Sequence, residues 1–279
     1  MSFTTLVDVA TLTAHLDDPA WLVVDVRHQL ADTGYGEREY DVGHIPGAVF
    51  LHCDRDLSGP MTGTNGRHPL PEPEKLAARL GEIGISAHTQ VVVYDDAQGM
   101  IAGRLWWLLR WLGHDRVALL DGGWQAWRAA GGVVTDMLPT LQPVRFVAHQ
   151  QDCVVDAASV LERIETPQMH LVDARAPDRF RGENETMDPV GGHIPGAVNR
   201  FFRDNLQADG RYKPAAELRA EWLAVLAGAE PDEVVHQCGS GVSACHNVLA
   251  MELAGLSGSK LYAGSWSEWC ADPGRPVTR

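Results

Sequence analysis

The residues best placed to do chemistry lie in one short run, His236-Gln237-Cys238-Gly239-Ser240-Gly241-Val242-Ser243-Ala244-Cys245. A cysteine that leaves a strand, enters a glycine-containing turn and opens a helix meets backbone N–H groups and the positive end of a helix dipole. Both favour an anion. Cys238 is therefore expected to be an easily ionised thiol, below the free value of roughly 8.5. Gly239 and Gly241 let the chain curl round the sulfur without a Cβ in the way. Two reactions use such a cradle: hydrolysis of phosphate esters by a thiolate, and transfer of sulfur through a persulfide. The first needs an arginine six positions on to grip phosphate, and that position is Ala244. The second needs only donors that hold an S–S⁻ group.

The elements that must position this run follow from periodicity. Val234-Val235 reads as the end of a buried strand, and the apolar spacing from Ala244 to Leu256 reads as a helix. Trp21 to Arg27 is a second buried strand, Thr4 to His15 a short helix, and 74–83, 102–113 and 216–228 are further helices. The chain also repeats itself. Gly43-His44-Ile45-Pro46-Gly47-Ala48 returns as Gly192-His193-Ile194-Pro195-Gly196-Ala197, and Asp121-Gly122-Gly123-Trp124 as Ala263-Gly264-Ser265-Trp266. Between these blocks, Val92 to Gly99 matches Val234 to Gly241 when Asp96 is set on Cys238. Three matched blocks in one order mean two copies of one fold. Alternating strands and helices make each copy an α/β unit, with a mostly parallel central sheet and helices on both faces. The expected division is 1–138, a linker at 139–153 marked by Pro139 and Pro143, and 154–279. The first copy is expected to be inactive, because an aspartate cannot carry sulfur.

Cys-Gly-Ser-Gly-Val-Ser-Ala resembles the active-site loop of the rhodanese superfamily, in the form carried by its mercaptopyruvate-using members. The resemblance covers the whole chain. It implies two tandem rhodanese-like domains and a sulfurtransferase that needs no metal or other cofactor. It implies catalytic roles for Cys238, Ser240, His68 and Asp54, the last three as a hydroxyl–imidazole–carboxylate relay. His52 and Asp56 are the alternatives for the histidine and the aspartate. It also implies that Arg179 binds the donor, with Gly239, Gly241, Val242 and Ser243 holding the transferred group. Family members often carry a second arginine a few residues beyond the first, but 183–190 contains none, so Arg181 is the expected substitute. The implied donor is 3-mercaptopyruvate and the acceptor a thiol such as thioredoxin, or cyanide. Thiosulfate is the alternative donor, disfavoured by the neutral Gly239 and Ser240 where thiosulfate users carry basic residues.

Composition sets the remaining bounds. With 279 residues, 45% hydrophobic and 22% charged, the chain is an ordinary globular protein. A formal net charge of −14 argues against nucleic acid or an anionic membrane as partner. No apolar run approaches the ~20 residues of a spanning helix and no basic leader opens the sequence, so a cytoplasmic protein is expected. Five cysteines without close metal-type pairs suit reduced thiols. A non-catalytic redox sensor using Cys238 and Cys245 is the more remote reading, and the intact glycines and Ser240 count against it. Asp25, Arg27, Asp173 and Arg175 occur in both copies and read as structural ion pairs, His44 and His193 as satisfied turn histidines, and the paired tryptophans as core.

Overall fold

The computed structural model describes residues 2–164, 166 and 169–279. They divide into two units. One comprises Met1–Gly59, Pro71–Asp152 and Asp209–Arg211, the other Pro60–Leu70, Cys153–Ala208 and Tyr212–Arg279.

The first unit holds β1 (Leu6–Val7), α1 (Val9–Ala14), β2 (Trp21–Asp25), α2 (Tyr35–Val42), β3 (Val49–Phe50), α3 (Pro73–Glu82), β4 (Gln90–Tyr94), α4 (Ala102–Trp111), β5 (Val117–Leu120) and α5 (Gly123–Ala129). Its sheet runs β1-β5-β4-β2-β3, every pairing parallel. The opening helix is shorter than its apolar spacing suggests. Leu6 and Val7 pair with β5, and Asp8 starts α1 only afterwards by accepting the Thr11 N–H at 2.7 Å.

The second unit holds α6 (Ala157–Arg163), β6 (His170–Asp173), α7 (Pro177–Phe180), β7 (Val198–Asn199), α8 (Ala215–Leu226), β8 (Val234–Gln237), α9 (Ser243–Leu253), β9 (Lys260–Leu261) and α10 (Ser265–Trp269). Its sheet runs β7-β6-β8-β9, again parallel, and Val154 adds a single parallel bridge to Leu261 where β1 stands in the other unit. The strands are buried on both faces, as continuous Val and Leu runs require of a parallel sheet.

The tryptophans are core. Trp127 packs with the first unit's cluster; Trp266 and Trp269 pack with the second's. Their indole N–H groups reach the carbonyls of Val133, Val190 and Pro276 at 2.9, 2.9 and 2.8 Å. Truncating any one to alanine is expected to cost about 3–5 kcal/mol. Asp25 with Arg27 and Asp173 with Arg175 form buried forks, each closing at 2.7 Å, and the same guanidiniums donate to Gly43 and Gly192 carbonyls at 2.8 Å. His44 and His193 lie stacked on Tyr40 and Phe180 and bond backbone oxygens, as turn histidines should.

Candidate active site

Sheet register fixes which residue of the first unit stands in the place of Cys238. Asp25 pairs with Tyr94 in β2–β4, and its counterpart Asp173 pairs with Gln237 in β6–β8. The first residue beyond the strand is therefore Asp95 in one unit and Cys238 in the other. A second contact agrees: Trp124 N–H donates to the Asp95 carbonyl at 2.8 Å, and Trp266 N–H to the Cys238 carbonyl at 3.0 Å. The expected match of Cys238 to Asp96 is thus corrected to Asp95. The loop from strand to helix is longer in the first unit, so an ungapped comparison slips by one residue.

The Asp95 carboxylate reveals what this loop binds. It is 1% exposed and accepts four backbone N–H groups, from Ala97 and Gly99 at Oδ1 and from Ile101 and Ala102 at Oδ2, at 2.8–2.9 Å. Burial raises its pKa, and the four donors oppose that rise.

Cys238 is 2% exposed. It is as enclosed as Asp95. Among the described residues, the N–H groups of Gly239, Ser240, Val242, Ser243 and Ala244 have no protein acceptor. These are the donors that a helix start leaves over, and here they surround the beginning of α9. The Cys238 N–H is held by Ser265 Oγ at 3.1 Å. Gly241 has φ +77°, and a Cβ there would lie 2.2 Å from the Ala263 carbonyl, so this position admits only glycine. Cys245 is structural: its buried thiol donates to the Gly241 carbonyl at 3.3 Å.

Ser240 and His68 meet. Ser240 Oγ and His68 Nδ1 share a buried hydrogen bond of 2.7 Å. His52 is engaged elsewhere: its Nδ1 accepts the Asp54 N–H at 3.1 Å and its Nε2 donates to the Thr33 carbonyl at 2.8 Å. Asp56 accepts the His52 N–H and pairs with Arg79, both at 2.7 Å. Asp54, in the first unit, lies beside His28, with Oδ1 3.9 Å from Nε2. His28, Cys53 and Asp54 bring one ligand-type atom each within 4.8 Å of one another, the one such group among the described residues that could take a metal. Burial pushes the Cys53 thiol up to about 12.

Arginines occupy the other side of the loop. A Cβ at Gly239 would lie 2.9 Å from Arg67 Nη2 and 3.6 Å from Arg179 Nη1. Arg179 forks through Nε and Nη2 onto Glu185 at 2.8–3.1 Å, and its Nη2 is 3.4 Å from Asp188. Arg67 donates through Nη1 to Asp188. Burial raises the Glu185 pKa, but the Arg179 fork and the N–H groups of Met187 and Asp188 outweigh it and hold the carboxyl below its ordinary range. At Asp188 burial prevails over the pull of Arg67. Arg181, the expected second substrate arginine, is exposed and forks onto exposed Glu183 at 2.8 Å. Arg67 was not legible beforehand: nothing in the sequence near residue 67 links it to residue 239.

A parallel-sheet unit built twice, with a strand-ending cysteine in a collar of N–H groups in the second copy, defines a protein class, and the chain belongs to the rhodanese family. The rhodanese-like domain matches residues 8–130 and 156–272. A probable 3-mercaptopyruvate sulfurtransferase of Pseudomonas aeruginosa is 49% identical over 280 residues, covering 99% of both chains. A thiosulfate sulfurtransferase of Mus musculus is 35% identical, covering 90% of this chain and 85% of its own. The structure of 3-mercaptopyruvate sulfurtransferase from Leishmania major superposes with a TM-score of 0.84 at 30% identity, covering 95% of this chain and 74% of that one. No helix among the described residues is long and apolar enough to cross a membrane, and no disulfide joins the cysteines.

Proposed function

We propose that the chain is a sulfurtransferase that takes sulfur from 3-mercaptopyruvate and passes it, through a persulfide on Cys238, to a thiol acceptor such as thioredoxin or to cyanide. The observation that carries this reading is the open collar of N–H groups at Cys238, in a loop whose counterpart collects four N–H bonds onto a carboxylate.

The Cys238 thiolate attacks the sulfur of the donor. The S–S bond forms as the donor's C–S bond breaks, and the electron pair leaves on carbon as the enolate of pyruvate, which then takes up a proton. The sulfur remains as Cys–S–SH, and its ionised form is held by the amides of Gly239, Ser240, Val242, Ser243 and Ala244. An acceptor nucleophile attacks the outer sulfur and the Cys238 thiolate departs. Ser240 and His68 stand as the proton-handling pair. Asp54 is kept as the third member of the relay on family resemblance alone, and Arg179 as a donor-binding residue. Gly239, Gly241, Val242 and Ser243 shape the collar. No metal or organic cofactor enters this cycle. The first unit, with Asp95 in the nucleophile's place, has no sulfur-carrying residue of its own. A reducing cytoplasm suits a chemistry that depends on a free thiolate.

Thiosulfate is the second reading, favoured by the guanidiniums of Arg67 and Arg179 beside the loop, which suit any small anion. Pyruvate release and one-sulfur mass gain on Cys238 after exposure to mercaptopyruvate test the proposal, with Cys238→Ser as control. The expected result is turnover in the parent chain and none in the variant. Equal turnover in both would end the proposal, and a higher kcat/KM for thiosulfate would transfer it to the second donor.

A further inference from the structure

We infer that Ser267 is a positioning residue for the reaction: it fastens the turn that carries His68 to the turn that carries Ser240, and so sets the bond between them. This deepens the sulfur-transfer reading and rests on it for the step that the Ser240–His68 pair serves.

Ser267 is the third residue of α10 and is buried. Its N–H donates to the Gly239 carbonyl at 2.9 Å, beside the Trp266 N–H on the Cys238 carbonyl at 3.0 Å. Its Oγ donates to the Gly264 carbonyl at 3.3 Å and accepts the Arg67 N–H at 3.1 Å. A hydroxyl has one proton to give, and Gly264 takes it, so lone pairs face the Arg67 N–H. One residue thus holds position 239 through its backbone and position 67 through its side chain. The next residues along the chain are Ser240 and His68, whose Oγ and Nδ1 share the buried bond of 2.7 Å.

A close backbone approach supports the same fastening. Gly66 has φ +83°, and a Cβ there would lie 2.7 Å from the Gly264 carbonyl and 3.2 Å from Ser267 Oγ. Any side chain at 66 would therefore lift this turn from the start of α10. Proton transfer needs such closeness, because a misplacement of about 1 Å between reacting groups can cost about a hundredfold in rate. The bond between Ser240 and His68 joins positions 172 apart in the chain, and local structure alone cannot hold it to that tolerance.

The first unit uses the same position differently. Gln125 follows Trp124 as Ser267 follows Trp266, and its Nε2 donates to the carbonyl of Asp96 in its own loop at 2.8 Å. The long amide folds back on that loop. The short hydroxyl of Ser267 leaves the Gly239 carbonyl to the backbone and offers its oxygen to Arg67. In one unit this side chain fastens a single loop; in the other it fastens two, and the second brings His68.

Ser267→Ala, which removes the hydroxyl and keeps the backbone bond to Gly239, tests this in the full chain, with thermal unfolding to show that the variant is folded. The His68 ring, followed by NMR, gives a readout that requires no sulfur transfer. Its signals should move from the parental positions toward those of Ser240→Ala, and Gly66→Ala, which lifts the same turn from the backbone side, should move them likewise. In steady state, kcat for pyruvate release from mercaptopyruvate should fall on the order of tenfold with KM within about twofold of the parent. Ser267→Thr, which keeps the hydroxyl, should recover most of that loss. In a Ser240→Ala background the Ser267→Ala change should cost little more, because the bond it serves is already gone. His68 signals that stay in place in folded Ser267→Ala overturn the inference, as does an undiminished loss of kcat in the Ser240→Ala background. If the parent releases no pyruvate yet the His68 signals move as expected, the donor is wrong and the fastening of the pair stands.

Discussion

In the first unit the residue that follows the central strand is Asp95, and its carboxylate closes four backbone N–H bonds from inside the loop. In the second unit the same place holds Cys238, and the loop's N–H groups wait for something the chain does not supply. The supports are otherwise alike: parallel strands in matching register, a buried Asp–Arg fork, a tryptophan under each guanidinium at 4.5 and 4.7 Å. The first unit's loop holds an anion supplied by its own side chain; on the proposed reading the second unit's loop holds the ionised sulfur instead. One side chain at one position distinguishes the two loops.

That comparison is broken most severely by Cys238→Asp, which makes the second loop a copy of the first. Sulfur transfer should drop by about a thousandfold or more, while thermal unfolding stays at or above the parental temperature because the collar is filled. A marked loss of stability would mean that the two loops do not bind anions alike.

The converse change is Asp95→Asn. Its amide would point N–H groups at two backbone donors and leave them unmatched, so the first unit should lose about 2–4 kcal/mol in urea unfolding. A loss below about 0.5 kcal/mol would mean that the four contacts depend little on charge.

A smaller, pH-dependent difference lies one turn of pleat earlier. The register sets His236 opposite Val172 where the first unit has Val93 opposite Val24. His236 is completely buried, its Nε2 3.2 Å from Met251 Sδ, and burial presses its pKa down to about 3. The unfolded chain takes up a proton near pH 6.5, whereas the native protein does so only near 3. Stability from this residue is thus intact above about pH 6.5 and declines below it, by at most about 1.4 kcal/mol per pH unit, levelling off near pH 3. His236→Val, which restores the first unit's residue, should flatten that part of the stability profile at a pH-independent cavity cost. An unchanged slope between pH 6 and 4 would locate the acid sensitivity elsewhere.

Much of the molecule could be read without coordinates. The recurrence of Gly-His-Ile-Pro-Gly-Ala marked two copies, the Val runs marked buried parallel strands, and Cys-Gly-Ser-Gly ahead of a helical pattern marked the turn that opens α9. These are signals of short range, set by periods of two and 3.6 residues and by glycines at tight turns. Ser240 was visible for the same reason, lying within that loop.

Residues distant along the chain were not visible in this way. His68 was named through resemblance, and its bond to Ser240 joins positions 172 apart. Arg67 carried no local sign, and the expected Arg181 turned out to belong to an exposed ion pair. The match of Cys238 to Asp96 failed because letters were compared without a gap, whereas equivalence is set by which backbone groups pair across the sheet. The sequence by itself determined that a thiol would open the second repeat's helix, because strand, turn and helix are local choices. Only the tertiary structure decided which side chains surround it and what fills the same loop in the first repeat, because those depend on hydrogen-bond register and on packing between segments that the chain brings together from far apart.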